Sequence, residues 1–140
     1  MLIKTILNDI EKLKSFVYGR THYEILDGKK TIVVELRSRK NSQGKCQECG
    51  KPCGTYDTQS ARNYEFVPLW GIPVYFRYAP RRVNCKQHGI HVELLPWVEG
   101  KEHLTKCYKA FLANWAKRLS WKEVASVFNT SWESVYRSIK

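Results

Sequence analysis

Ile3, Ile6, Leu7, Ile10, Leu13 and Phe16 recur at steps of three and four. That spacing lines one face of a helix, and Gly19 is the expected stop. The period then changes. Residues 23–26 and 31–36 are β-rich runs, and Asp27-Gly28 between them is a hairpin signal, because both central residues of a tight turn need positive φ. A basic, turn-rich loop follows, with Arg37, Arg39 and Lys40 ahead of Asn41 and Gly44. Partial alternation at Phe66, Val74, Phe76 and Tyr78 predicts a second hairpin, with strands over 63–69 and 72–78 around Trp70-Gly71. Pro68, Pro73 and Pro80 suit edge or boundary positions, since proline cannot donate to a ladder.

The last third returns to a helical period at Leu104, Tyr108, Phe111, Leu112, Trp115 and Leu119. Ser120 and Glu123 have the spacing of a capping box ahead of a helix over 121–128. Asn129 can take the left-handed conformation that ends it. Thr130 and Glu133 repeat the box, starting a helix that runs to the terminus. Val124, Ala125 and Phe128 are expected to face inward from the first of these helices, and Val135 and Ile139 from the second. The unit reads as a helix-turn-helix. Its second helix would offer Ser131, Trp132, Glu133, Tyr136 and Arg137 to base edges, with Lys117, Arg118 and Lys122 at phosphates. Arginine suits a guanine edge and glutamate a cytosine amine.

Two ligand pairs stand out between these regions: Cys46 with Cys49, and Cys85 with His88, each two residues apart and each followed by glycine. Two such turns supply the four-ligand shell of one structural zinc ion and leave no open position for catalysis. The strands between them would be the ribbon that brings the turns together. Cys53 and His91 are rival ligands; Pro52 and Gly54 mark Cys53 as a turn residue, and the two-residue spacing favours His88. Cys107 falls on the apolar side of a helix and reads as core.

The expected fold is therefore α+β. A small zinc-ribbon-like β module over 46–100 would be flanked by an N-terminal helix and hairpin over 1–45 and a helix-turn-helix over 101–140. Charge sharpens this picture. The 140 residues carry 24 Lys+Arg against 13 Asp+Glu, a net +11. Ten of the basic residues lie in 1–45 and eight in 101–140, so the excess sits in the flanks. A surplus of that size makes a polyanion the first partner to consider, with Arg81 and Arg82 joining Arg37, Arg39 and Lys40 as backbone contacts. No run approaches the roughly 18 apolar residues of a membrane span. The N-terminus lacks the apolar core and cleavage site of a secretory leader. A cytoplasmic chain keeps five cysteines reduced, which favours metal over disulfide.

These motifs resemble the N-terminal region of the ISL-three family of bacterial insertion-sequence transposases. The resemblance rests on Cys46 to Gly50, Val67 to Val74, Tyr78 to Cys85, Gly89 to Trp97, Leu119 to Trp121 and Ser131 to Val135, and spans roughly residues 25–140. It implies a zinc-binding segment followed by a helix-turn-helix, together recognising the inverted repeats at transposon ends, in a nucleoid-associated protein. By the resemblance Cys46, Cys49 and Cys85 are ligands. His88 stands where the family usually has a fourth cysteine. The family's ribonuclease-H-type catalytic domain would lie beyond Lys140, so the expectation is sequence-specific binding to duplex DNA without strand transfer. The competing expectation is a zinc-dependent interaction module that dimerises, or pairs with a full-length transposase, through Trp70, Trp97, Trp121 and Trp132.

Overall fold

Seven strands in two sheets and four helices make up the computed structural model, which describes residues 3–139. The order is α1 (Ile3–Ile10), β1 (Phe16–Leu26), β2 (Lys29–Ser38), β3 (Gly54–Thr58), β4 (Arg62–Leu69), β5 (Ile72–Tyr78), β6 (Arg81–Cys85), β7 (Gly89–Val92), α2 (Lys106–Ala116), α3 (Trp121–Val127) and α4 (Trp132–Ile139). The fold class is α+β. Among the described residues, no helix is long and apolar enough to cross a membrane.

The larger sheet has the order β1-β2-β5-β4. Its two hairpins, β1–β2 and β4–β5, are joined through a parallel pair, with Ile32 opposite Val74 and Glu35 opposite Arg77. Strands from both sides of position 45 thus share one sheet. Four successive residues of β2, Thr31 to Val34, are buried, as suits an interior strand covered on both faces. In β5 burial alternates, with Val74, Phe76 and Tyr78 inward. These residues, with Tyr64 and Phe66 of β4, form the main core. Trp97 lies at its centre, 1% exposed, with Phe16, Tyr78 and Tyr64 edge-on at 4.9, 5.3 and 5.8 Å between ring centroids. It is a packing residue, which removes it from the expected interaction surface.

The N-terminal expectation needs correction. The helix ends at Ile10, and β1 begins at Phe16. Leu13 and Phe16 do reach the core, but from a turn and a strand. Gly19 stops no helix. It lies within β1 at a register shift between Tyr18 and Thr21, where a Cβ would press on the Glu35 carbonyl oxygen at 3.3 Å. A β-bulge is a usual place for such a glycine.

The three C-terminal helices share a second core of Leu104, Tyr108, Leu112, Val124, Ala125 and Val135. Val67 of β4 packs against it. The segment entering α2 covers the sheet edge: Thr105 donates its N–H to the Glu65 carbonyl, and Glu65 donates its own to His103. Ser120 and Glu123 close a reciprocal capping box, and Asn129 has φ +53°. The α4 cap falls one residue later than expected. Ser131 Oγ accepts from the Ser134 N–H at 3.1 Å, while Thr130 Oγ1 turns to Glu65 at 3.4 Å. Ile139 is 43% exposed and is not the inward residue its spacing implied.

Both hairpins of the larger sheet turn on two left-handed residues, Asp27-Gly28 and Trp70-Gly71. Aspartate tolerates that conformation; for a bulky L-residue such as Trp70, at φ +49°, it costs about 1–2 kcal/mol.

Candidate metal centre

The smaller sheet, in the order β3-β6-β7, carries the ligand turns. Its strands are not those of the anticipated ribbon, because the β4–β5 hairpin between the two pairs belongs to the larger sheet. The first pair sits in a turn ahead of β3. Cys46 donates its N–H to the Lys51 carbonyl, and Gly50 donates to Cys46 at 2.8 Å. The second pair sits in the β6–β7 turn, where Cys85 faces Gly89 in the ladder. Gly50 and Gly89 have φ +71° and +77°. Glycine takes that conformation without the steric cost of a Cβ, so each turn can double back beneath its ligands.

The outcome is one cluster. Ligand atoms of Cys46, Cys49, Cys85 and His88 all lie within 4.8 Å of one another. Cys49 Sγ is 3.8 Å from Cys85 Sγ, and His88 Nδ1 is 3.6 Å from Cys46 Sγ and 3.5 Å from Cys85 Sγ. A tetrahedral zinc shell, with bonds of about 2.3 Å to sulfur and 2.0–2.1 Å to nitrogen, requires edges of about 3.8 Å (S···S) and 3.6 Å (S···N). The donor set therefore fits an ion of that kind.

Surrounding groups strengthen the fit. The N–H groups of Gln87 and His88 point at Cys85 and hold its thiol down at about 6, so it is ready as a thiolate. At Cys49 the Lys51 amide pulls the other way from burial and the neighbouring sulfurs, and the net direction is up. Three sulfurs facing each other cannot all ionise cheaply unless a cation sits among them. The His88 ring turns Nδ1 toward the sulfurs and Nε2 toward the Glu48 carboxylate at 3.5 Å. A ligating histidine is commonly oriented by such a carboxylate. His91 Nε2 lies 3.0 Å from Cys46 Sγ. His91, the sequence's rival to His88, thus sits at the cluster as a hydrogen-bonding neighbour of that sulfur. Cys53 stands beside the cluster, where burial and the neighbouring Cys85 sulfur push its thiol up, and it donates to the Lys51 carbonyl at 3.3 Å.

A buried ion pair fastens this module to the larger sheet. Glu93, fully buried, accepts from the Tyr78 hydroxyl at 2.7 Å, from the Arg81 N–H at 2.8 Å, and from Arg81 Nε and Nη2 at 3.1 and 2.9 Å. Arg81 Nη1 donates to the Ser42 carbonyl at 3.0 Å. Three of the five guanidinium N–H groups are thus taken up inside the protein, which makes Arg81 an interior partner first and sets its expected backbone contact against that role. Arg82 is paired with Asp57, while Arg39 donates to the Lys14 carbonyl at 2.7 Å.

The other residues expected to face a polyanion are at the surface. Arg37 and Lys40 are exposed near the end of β2, Lys117 and Arg118 are exposed between α2 and α3, and Lys122 is exposed in the first turn of α3. On α4, Trp132, Glu133, Tyr136 and Arg137 are exposed, with the Tyr136 ring 5.2 Å from that of Trp121. Ser131 is exposed as well, and its hydroxyl is occupied by the cap.

No family model matches the chain, and no solved structure matches it. Among curated proteins, it is similar to the transposase for insertion sequence element IS1557 in two strains of Mycobacterium tuberculosis. The identity is 26% over 105 residues, or 74% of this chain. The chain spans about a quarter (24%) of the length of those relatives. Its sequence is thus distantly related to that of an insertion-sequence transposase, and the residues at hand include a four-ligand cluster able to hold a metal ion.

Proposed function

We propose that these 140 residues form the DNA-recognition part of a transposase of the ISL-three type. They bind the terminal inverted repeats of an insertion sequence and carry no strand-cleaving site. The observation that carries this reading is the exposed face of α4. It is presented by a helix pair with a left-handed turn, flanked by basic residues, in a chain related to a transposase.

In this reading one zinc ion is held by Cys46, Cys49, Cys85 and His88 and supplies folding energy to the smaller sheet. The protein's own groups do the recognising. The α4 face enters the major groove, where Arg137 and Glu133 read base edges and Tyr136 and Trp132 pack on the groove wall. Arg37, Arg39, Lys40, Lys117, Arg118 and Lys122 hold the phosphates. Arg82 contributes less, because Asp57 neutralises it.

The test is binding to a duplex bearing the element's terminal repeat, against a scrambled duplex, across a salt series. With four to six phosphates neutralised, affinity should drop by roughly two to three orders of magnitude between about 50 and 200 mM salt. Arg137→Ala should narrow the preference for the repeat by about 1–3 kcal/mol. Affinity that is flat with salt, or equal for both duplexes, would refute the proposal.

A further inference from the structure

Trp70 is 90% exposed at the tip of the β4–β5 hairpin. Trp115, Trp121 and Trp132, the other exposed indoles, stand at 40%, 41% and 54%. No ring among the described residues packs against Trp70. The fold gains nothing from it, and the backbone beneath it is strained. The neighbouring hairpin makes the same two-residue turn with Asp27, which costs little. An exposed tryptophan held in a left-handed conformation is a feature to be explained by what it meets.

Its surroundings indicate what that is. Because β2 and β5 run parallel, with Ile32 opposite Val74, the two hairpin tips lie side by side at one end of the sheet. Continuing that register sets Gly28 level with Trp70 and Lys29 level with Gly71, so Lys29 and Lys30, with Asp27 of the same turn, share this end of the sheet with the indole. Both lysines are exposed. Lys30 lies over the Tyr23 ring at 4.3 Å, and Lys29 Nζ donates to Asn129 Oδ1 at 3.4 Å. Asn129 is the turn between α3 and α4, so this end of the sheet adjoins the start of the helix assigned to groove reading. An aromatic face with adjacent cations matches a ligand that has flat rings on an anionic backbone.

We infer that Trp70 is a second DNA contact, stacking its indole on a base where the duplex is open or easily unstacked, with Lys29 and Lys30 on the adjoining phosphates. The inference rests on the DNA-binding reading above and adds to it a preference for deformed DNA. Proteins that insert apolar side chains between base steps, or stack bases on aromatics, use such projecting rings.

The test compares a matched mixed-sequence duplex of about 30 base pairs with the same duplex carrying one unpaired nucleotide, using the zinc-loaded full chain. The variants are Trp70→Asn, chosen because asparagine accepts the left-handed conformation, and Trp70→Phe, which keeps a ring. The wild type should bind the bulged duplex about tenfold more tightly than the matched one, within the range of a single base–aromatic stack. Trp70→Asn should lose that preference, keep its matched-duplex affinity within about twofold, and unfold no earlier than wild type. Trp70→Phe should retain most of the preference. A bulge preference that survives in Trp70→Asn, or an equal loss on both duplexes, overturns the inference and leaves the DNA-binding reading standing. Self-association of the wild type that Trp70→Asn abolishes would make a second copy of this chain the occupant and also overturn it. If the wild type binds neither duplex, the broader reading fails, and this one with it.

Discussion

Replacing Arg81 by methionine separates its two candidate roles, interior ion-pair partner and phosphate contact. The substitution keeps the side chain's apolar bulk and removes Nε and Nη2 from a carboxylate with no exposed surface. Breaking one side of a buried pair costs about 3–5 kcal/mol, because the remaining charge stays buried without its partner. Glu93 keeps two donors, the Tyr78 hydroxyl and the residue-81 N–H, so the lower end applies, about 3 kcal/mol. For a domain of this length the unfolding entropy is about 0.3 kcal/mol/K, which converts the loss to a fall in Tm of about 10 °C. Adding Glu93→Gln should restore most of it, since a neutral amide oxygen can still accept from both donors without a buried charge. The assay is urea and thermal unfolding of the zinc-loaded protein for the two single variants and the double. In parallel, the salt dependence of duplex binding should be unchanged in folded Arg81→Met. A loss below about 1 kcal/mol, or a salt slope shallower by about one, would refute the interior assignment.

Three further predictions concern the metal module and the larger sheet. Gly44→Ala places a Cβ 2.6 Å from Val83 Cγ1 and 3.1 Å from Glu93 Cβ, and should destabilise by about 1–3 kcal/mol in urea melts through overpacking. Cys85→Ser should lose bound metal by elemental analysis, together with the circular-dichroism signature of folding. Cys53→Ser should keep both, and His91→Ala should keep its fold while weakening metal affinity about 10- to 100-fold. The Arg77 guanidinium, and after it His22, hold the Glu24 carboxyl at about 2, against an ordinary 4.5. That contribution is present above pH 4.5 and is lost as pH falls toward 2, so Glu24→Gln should lower Tm at neutral pH and lose less of it on acidification than wild type.

Local signals proved readable where a few neighbouring residues decide the structure. Asp27-Gly28 turns its hairpin, Ser120 with Glu123 caps its helix, and the Cys46/Cys49 and Cys85/His88 pairs sit on turns that glycine permits. Long-range pairing was silent in the sequence. Nothing near Arg81 shows that Glu93, twelve residues on, takes its charge indoors. Trp97 groups with the contact tryptophans by residue type although Leu94, Leu95, Pro96 and Val98 surround it in sequence, and the closing of β1, β4 and β5 around it makes it core. Leu13 and Phe16 satisfy a helical period by chance of spacing, because a turn and a strand deliver them to the same apolar interior. The unbroken apolar run of β2 marks an interior strand, but nothing in it names β5, about 40 residues on, as the partner its backbone pairs with.

That parallel union also bears on how the chain reaches its native state. Residues 32 and 74 must meet although the first ligand turn, β3 and β4 all lie between them. Such distant pairing is slow, because much chain entropy is lost before any contact rewards it. A cation held between position 46 and position 85 would overlap that stretch and cut the path from 32 to 74 to about 25 residues, shortening the search. Refolding started with zinc already present should therefore outpace refolding in chelator, making the ion an assembly guide as well as a brace.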